Sequence, residues 1–352
     1  MFYSPKSNSK FKKILAIQFK YLGDAVFITP ALEALHHQYP TAEIHILTAE
    51  EVAPIFEHLS FIKKTWAFPR TRGKAKLSKS LPFVFKLRRE KFDLTIDFVG
   101  NDRGGILSFL IAAKARLAAL DSKASFIKKV AYTKTIATSQ LPTSWVKRHL
   151  KMLALLLGVS EKKPLNMKIV SDPSLASKAT KVLDGHQVIC HLGTSQPKKE
   201  WPISKWIAFY DLATKAGYKL AFSTGTNARE QNLMAELRNF RPNAFTLNSS
   251  NNLAIYLAIL GKAKLVISGD TGPLHFAAGL GVKVIGLFGT ADSVLHAAPI
   301  YQTDELVMST PCKCINELSG FPTCQSASPC MHSISADQVF RLLKERFPLK
   351  ET

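Results

Sequence analysis

The sequence is poor in acidic residues and has no long apolar run. Asp and Glu number 26 against 47 Lys and Arg, so the formal net charge is +21 at pH 7. No stretch of about 18 uncharged apolar residues occurs, and we therefore expect no transmembrane helix. The opening residues, MFYSPKSNSKFKK, are polar and basic and lack the apolar core of a secretion signal. These absences predict a cytoplasmic protein.

Cysteine is also scarce, with five in 352 residues. Cys190 lies in an apolar run and is predicted to pack as a small apolar residue. The others cluster near the end of the chain, at Cys312, Cys314, Cys324 and Cys330. A C-x-C pair is a poorer zinc spacing than C-x2-C, and the cytoplasm disfavours disulfides. A structural metal, a disulfide and free thiols stay open for this cluster, and no catalytic role is assigned to it.

The positive charge is uneven along the chain. Residues 1–165 hold 28 basic and 12 acidic residues, whereas residues 166–352 hold 19 and 14. This asymmetry indicates an anionic partner for the first half: nucleic acid, an anionic membrane surface or a phosphorylated substrate, with plain solubility as the alternative. Basic and apolar residues interleave from Pro69 to Lys91, as in segments that lie on membranes. The alternative is a solvated loop and a helix whose apolar side packs on a sheet.

Apolar strands alternate with helical segments throughout, which predicts an α/β protein. The length exceeds that of one ordinary core, and the alternation restarts after a polar segment at residues 158–172, so we expect a domain boundary near residue 165. The predicted strands are Ile14–Phe19, Glu43–Thr48, Ile62–Ala67, Phe92–Phe98, Ala115–Leu120, Gln187–His191, Tyr218–Ser223, Ala244–Asn248, Leu265–Ser268 and Val282–Phe288.

The stretch from Leu265 to Phe288, LVISGDTGPLHFAAGLGVKVIGLF, predicts a βαβ unit whose helix runs from His275 to Gly281. Ligands of such folds bind at the carboxyl ends of the strands, where Asp270, Thr271, Gly272 and His275 lie. A helix N-terminus attracts phosphate there. The alternative is that Asp270 and Thr271 merely cap the helix.

Three further segments follow predicted strands. Gly23 and Asp24 place a carboxylate where a general base could act, although Asp is also a common helix cap. The loop at residues 193–202 carries Thr194, Ser195 and Lys199, which could hold a diphosphate or simply face solvent. Glu230 follows the turn at residues 225–227, and this signal is weak when taken alone.

Three motifs taken together resemble glycosyltransferase family 9, the ADP-heptose:lipopolysaccharide heptosyltransferases. The motifs are KYLGD with a later Pro, GTSQPKKEWP and SGDTGPLHFAAGLGVKVIGLFG. The resemblance extends from Ile14 to Leu343. It implies the GT-B architecture, with two Rossmann-like domains facing across a cleft. Residues 1–165 would bind the acceptor, residues 166–334 the nucleotide sugar, and the helix in residues 335–352 would pack back on the first domain. Transfer would invert the anomeric centre without a metal or cofactor.

The resemblance also assigns roles to residues. Asp24 matches the catalytic base, and Lys20 and Gly23 would contact the acceptor. Lys20 stands where many members have Arg, so the paired hydrogen-bond donors of a guanidinium group are absent at this position. The residues matched to the ADP-heptose site are Thr194, Ser195, Lys199, Glu230, Asp270, Thr271, Gly272 and His275.

The acceptor implied is lipid A-Kdo or a heptosylated core, which predicts a peripheral enzyme on the cytoplasmic face of an anionic inner membrane. Candidates for attraction to that surface are Lys74, Lys76, Lys79, Lys86, Arg88 and Arg89. One alternative is a relative that uses another nucleotide sugar or a later core or O-chain acceptor. Another is a non-catalytic nucleotide- or nucleic-acid-binding protein. No helix-turn-helix, RNP or OB pattern is present, so we expect no nucleic-acid partner.

Overall fold

The computed structural model describes residues 11–19, 22–69, 77–160, 166–289, 305–308 and 330–349. The chain forms two compact units, Met1–Val170 and Ser171–Thr352. The division falls a few residues after the boundary that the polar segment near residue 165 suggests. No helix in the described ranges has the length and apolar character needed to cross a bilayer.

The first unit contains a parallel sheet in the order β3-β2-β1-β4-β5-β6. Its strands are β1 Lys13–Gln18, β2 Glu43–Ala49, β3 Lys64–Phe68, β4 Leu94–Asp97, β5 Ala115–Leu120 and β6 Lys134–Ala137. Its helices are α1 Leu22–Val26, α2 Thr29–Gln38, α3 Leu77–Arg89, α4 Asp102–Ile111, α5 Phe126–Ala131 and α6 Trp145–Leu157. The central strands are buried along almost their whole length, as expected when helices cover both faces of a parallel sheet.

The helices of the first unit divide between the two faces of its sheet. Because parallel crossovers are right-handed, the connections that run from β1 towards β3 and those that run from β3 towards β6 lie on opposite faces. Helix α2 therefore lies on one face, where it packs against α6. Helices α3, α4 and α5 lie side by side on the other face, with α4 in contact with both neighbours.

The second unit repeats this topology in the order β12-β11-β10-β7-β8-β9, again all parallel. Its strands are β7 Val188–His191, β8 Leu220–Ser223, β9 Phe245–Thr246, β10 Leu265–Gly269, β11 Lys283–Phe288 and β12 Glu305–Met308. Its helices are α7 Ala176–Leu183, α8 Ile203–Lys215, α9 Ala228–Phe240, α10 Leu253–Lys262, α11 Gly272–Gly279 and α12 Ala336–Arg346. The predicted α/β class with two Rossmann-like domains is confirmed.

Two helices differ from the sequence-based prediction at Pro residues. The sequence from Ala25 to Gln38 predicts one helix, but the structure has α1 and α2 there, separated by a turn at residues 27–28. Pro30 lies in the first turn of α2, and Pro273 lies in the first turn of α11, which begins three residues earlier than predicted. A helix tolerates Pro in its first turn because the missing N–H has no intrahelical partner there.

The C-terminal helix belongs to the second unit. The expectation that residues 335–352 pack back on the first domain stays a prediction, and the structure shows where the apolar face of α12 lies. Val339 and Leu343 are fully buried in the second unit's core, where α12 packs against α8. Trp201 Nε1 also donates to the main-chain carbonyl of Ile334, at 3.0 Å, just before the helix begins.

Each sheet has one point at which the strand order reverses. In the first sheet this point lies between β1 and β4, and in the second between β7 and β10. Loops that leave the carboxyl ends of two such strands diverge to opposite faces, which opens a crevice where ligands of doubly wound sheets bind. The loops after β1, β7 and β10 carry most of the residues singled out from the sequence.

Candidate functional site

The core of the candidate site in the second unit is an ion pair between residues that are 71 positions apart. Lys199 Nζ lies 2.5 Å from Asp270 Oδ2, so the loop after β7 meets the loop after β10 at the switch point. His275, on the first turns of α11, places its Nε2 3.5 Å from Asp270 Oδ1. Burial by itself raises the pKa of Asp270, but His275 and Lys199 outweigh it and set the pKa to about 2. Asp270 is therefore ionised at neutral pH.

Gly269, at the end of β10, allows the loop after β7 to approach the loop after β10. A Cβ on Gly269 would lie 3.0 Å from Thr194 Cγ2 and 3.1 Å from the main-chain oxygen of Lys199. Both contacts are tighter than ordinary van der Waals packing, so a side chain at Gly269 would push the loop away from the strand. The approach of Lys199 to Asp270 therefore depends on glycine at this position.

The loop that carries Lys199 is anchored by aromatic packing and by an Arg–Glu contact. Trp201 is buried and packs edge-to-face on Trp206, with ring centroids 4.7 Å apart. Arg229 lies 3.1 Å from Glu200 and donates to the main-chain carbonyl of Thr194. Burial raises the pKa of Glu200, and the nearby guanidinium of Arg229 opposes this rise. These contacts hold the loop from both ends, so Lys199 is presented from an ordered segment.

Glu230 lies beneath the same loop and is almost fully buried. Its Oε2 accepts from the main-chain N–H of Gly225 at 2.6 Å, and its Oε1 accepts from the amide of Asn227. Asn227 in turn caps α9, because its Oδ1 accepts from the N–H of Glu230 at 3.0 Å. A Cβ on Gly193 would lie 2.1 Å from Glu230 Oε2, so glycine is required there.

Helix α11 begins at Gly272, shortly after Asp270. Thr271 is the residue before the helix, and its side chain makes no capping hydrogen bond. The carboxylate of Asp270 is paired with Lys199 and His275 instead. The side chain of Thr271 therefore does not cap the helix, and the Asp270 carboxylate is used in the ion pair. Gly272 begins the helix, where main-chain N–H groups lack intrahelical partners and favour an anion.

The two hydroxyl residues of the loop after β7 have different environments. Thr194 is buried, and its hydroxyl donates to the main-chain carbonyl of Gln196 at 2.6 Å. Ser195 is exposed to solvent. Thr194 thus shapes the loop, whereas Ser195 is accessible to a ligand.

A buried polar cluster, which no sequence motif indicated, lies behind the site. His191 ends β7, and its Nδ1 lies 2.9 Å from the Ser223 hydroxyl, which in turn lies 3.2 Å from the Tyr256 hydroxyl. Burial lowers the pKa of His191 to about 4, so the ring is neutral at pH 7. Its Nε2 lies 4.0 Å from Glu230 Oε2. The available signal was a polar residue at the end of an otherwise apolar strand.

In the first unit, Asp24 lies on α1 immediately after β1, at the switch point of that sheet. The side chain is partly exposed, and Gln18 Nε2 donates to the main-chain carbonyl of Asp24 at 3.3 Å. Gly23 is also partly exposed, whereas Lys20 lies outside the described residues. The strand end and the short helix therefore place the Asp24 carboxylate at the ligand-binding edge of its sheet.

A second carboxylate, Asp97, ends β4 on the other side of the same switch point, and the sequence analysis did not single it out. It is buried, and it accepts from the Tyr132 hydroxyl at 2.6 Å and from the N–H of Val99 at 2.8 Å. Burial raises the pKa of Asp97. A Cβ on Gly104 would lie 1.9 Å from its Oδ2. Asp97 therefore ties β4 to its surroundings and is buried, whereas Asp24 is partly exposed.

The structure tests the predictions for the cysteines only in part. Cys190 is fully buried in β7, where burial raises the pKa of its thiol, so the prediction of apolar packing is confirmed. Cys330 is buried as well. Cys312, Cys314 and Cys324 lie outside the described residues. Within the described ranges, no three His, Cys, Asp or Glu residues form a group that could hold a metal ion.

Comparison with known proteins gives consistent matches. The model of glycosyltransferase family 9 (heptosyltransferase) matches residues 82–320. Lipopolysaccharide heptosyltransferase 3 of Escherichia coli is 23% identical over 287 residues, which cover 78% of this chain and 83% of that protein.

Two solved structures are similar over 95% of this chain. A glycosyl transferase family 9 protein from Veillonella parvula has a TM-score of 0.79 at 19% identity and is covered to 97%. The E. coli heptosyltransferase WaaC with ADP-2-deoxy-2-fluoro heptose has a TM-score of 0.69 at 17% identity and is covered to 99%. At these identities the similarity shows the fold, and the predicted GT-B class is confirmed. Because the family model spans more than half of the sequence, the chain belongs to glycosyltransferase family 9, the heptosyltransferase family.

Proposed function

We propose that this glycosyltransferase moves a heptose from ADP-heptose to the inner core of lipopolysaccharide, with inversion and without a metal. The observation that carries the proposal is the Lys199–Asp270 pair beside the open N-terminus of α11. A paired cation and anion suit a ligand with a diphosphate next to sugar hydroxyls. The E. coli relative WaaC, solved with an ADP-heptose analogue, supports this choice of donor.

The donor would be held by groups from three loops. Lys199 uses one of its three N–H donors on Asp270, so the others are able to reach a phosphate. Main-chain N–H groups at Thr271 and Gly272 would bind the same diphosphate. The carboxylate of Asp270 accepts hydrogen bonds, which suits sugar hydroxyls. Ser195 adds a hydroxyl at the rim, and Glu230 is the proposed acceptor for the ribose.

The chemistry then needs one base and one stabilised leaving group. Asp24 would take the proton of the acceptor hydroxyl while its oxygen bonds to C1 of the heptose. The bond from C1 to the phosphate oxygen breaks on the opposite side, which inverts the anomeric centre. ADP departs with the negative charge, and Lys199 and the α11 N–H groups stabilise that charge as it develops.

The proposed acceptor is an anionic, lipid-linked oligosaccharide such as Kdo-lipid A or its heptosylated form. The first half of the chain, with 28 basic against 12 acidic residues, suits such a molecule. Lys20 and Gly23 are the proposed acceptor contacts. A lipid-linked acceptor would bring the enzyme to the cytoplasmic face of an anionic inner membrane.

The test is ADP release by the purified chain with ADP-heptose and a Kdo-lipid A acceptor. We expect ADP only when both are present. Turnover with Kdo-lipid A or with its heptosylated form supports the proposal. Turnover only with a later core or O-chain acceptor, or only with a uridine or guanosine diphosphate sugar, would support the alternative of a relative with another specificity. Tight ADP binding without transfer to any of these acceptors would instead favour a binding protein.

We expect Gly193→Ala to weaken ADP binding about tenfold and to lower the free energy of unfolding by about 1–3 kcal/mol. The new methyl group would overlap the Glu230 carboxylate, which has to move and loses its hydrogen bond from Gly225. Calorimetric titration with ADP and urea unfolding measure the two effects. Gly261→Ala in α10 is the control, because its nearest contact is 3.5 Å away. Equal behaviour of the two variants would contradict the role given to Glu230.

A further inference from the structure

Helices α3, α4 and α5 of the first unit expose an unusual number of large apolar side chains. We define the apolar face as Leu81, Phe85, Ile106, Phe109, Leu110, Phe126, Ile127 and Val130. The most exposed are Phe126 at 80%, Phe85 at 62% and Phe109 at 53%. Single exposed apolar residues are normal, but a cluster on neighbouring helices marks an interaction surface.

The apolar face is one continuous surface. Within each helix its members lie one, three or four positions apart, so they occupy one side of α3, one side of α4 and one side of α5. The three helices lie side by side on one face of the sheet. Arg88 donates to the carbonyl of Leu110 at 3.2 Å, and Arg116 donates to the carbonyl of Ala131 at 2.7 Å. These bonds join α3 to α4 and fix the end of α5.

The segment that carries the apolar face is also rich in positive charge. Residues 77–137 contain 12 Lys and Arg against five Asp and Glu. Several of the acidic side chains are already engaged: Glu90 with Lys13 at 2.8 Å, Asp102 with the Ser125 hydroxyl at 2.8 Å, and Asp121 with Lys128 at 3.9 Å. The exposed basic residues of this region include Lys86, Arg88, Arg89, Lys114, Lys123 and Lys129.

We propose that the apolar face and its basic surroundings dock the enzyme on an anionic lipid bilayer. Inserted Phe and Ile side chains remove apolar area from water, and Lys and Arg gain attraction from anionic headgroups. A second copy of this chain fits less well, because a two-fold interface would bring the same basic residues together. The biological role rests on the proposed function, since a lipid-linked acceptor has to be met at a membrane.

This surface is larger than the segment singled out from the sequence. For residues 69–91, the alternative to a membrane segment was a helix whose apolar side packs on the sheet. Val84 and Leu87 of α3 are buried, as that alternative predicts. Lys74, Lys76 and the side chain of Lys79 lie outside the described residues. Helices α4 and α5 contribute most of the apolar face, and α5 is an element that the sequence analysis did not predict.

The test is co-sedimentation of the full chain with vesicles that contain neither donor nor acceptor. We expect binding to vesicles of phosphatidylethanolamine and phosphatidylglycerol, and little binding to phosphatidylcholine alone. The triple variant Phe85→Ser, Phe109→Ser, Phe126→Ser should weaken binding about tenfold or more. The double variant Arg89→Glu, Lys129→Glu should also weaken it about tenfold, and high salt should mimic this loss.

Matched controls lie in the second unit. Phe240 is 58% exposed on α9, so Phe240→Ser removes an equally exposed ring from another surface. Lys181→Glu, Lys215→Glu is the matched charge reversal, and both controls should bind vesicles like wild type. Binding that is equal for neutral and anionic vesicles, or unchanged in the triple variant, would overturn the proposal. So would a dimer in sedimentation that the triple variant abolishes. Because no turnover is measured, these outcomes are independent of the proposed function.

Discussion

Asp24→Asn is expected to lower kcat about 100- to 10,000-fold, the usual contribution of a positioned general base. The amide keeps the size of the side chain but does not accept the proton of the attacking hydroxyl. Asp24 lies on α1 in the first unit, whereas the proposed donor residues all belong to the second unit. ADP and donor affinity should therefore stay within about twofold of wild type, and KM for the acceptor should change little.

The measurement is ADP release with saturating donor and acceptor, accompanied by calorimetric titration of ADP. Glu33→Gln is the matched control, because Glu33 is another partly exposed carboxylate of the same unit, on α2. It should retain wild-type turnover. A fall in ADP affinity that parallels the fall in kcat would show that Asp24 acts on folding or on donor binding instead of on proton transfer.

Lys199→Met is expected to reduce kcat/KM for the donor about 100-fold or more, through both donor affinity and turnover. The variant removes a cation from the proposed diphosphate site, where charge develops on the leaving group. It also leaves the Asp270 carboxylate buried with only His275 beside it, so the pKa of Asp270 should rise from about 2. The Asp270 side chain is only 10% exposed, so the loss of its cation should also lower the free energy of unfolding.

Lys198→Met is the control for this experiment. The neighbouring lysine has the same charge and loop position, but the ion pair with Asp270 is made by Lys199. Wild-type donor kinetics in Lys198→Met and a large loss in Lys199→Met would support the role of the pair. An equal loss in both variants would indicate that the loop attracts the donor only by its net charge.

The sequence predicted the central strands well because each is a local apolar run ended by Gly or a polar residue. Strands β1, β7 and β10 match their predicted positions closely, and their ends carry the site residues. Elements with a weaker local signal were missed, such as α5 and β6. The exposed Phe and Ile residues of α5 resemble core residues in composition, and only the fold shows that they face outward.

The site could be predicted residue by residue but not as an arrangement. Motif resemblance singled out Lys199 and Asp270, but no local pattern indicated that the two form an ion pair. The requirement for glycine at Gly193 was equally hidden, because a side chain in this loop would overlap Glu230, which belongs to α9. Neither contact exists until the loops after neighbouring strands are brought to the same edge of the sheet.

The sequence by itself determined the α/β class, the duplication of the fold and the loops that carry polar residues, because these depend on the local alternation of apolar strands and turns. Tertiary structure alone decided the Lys199–Asp270 pair, the packing of α12 in the second unit and the outward direction of the apolar face. These features depend on the order of strands in a sheet and on which face each helix covers, and residues far apart in the chain set both.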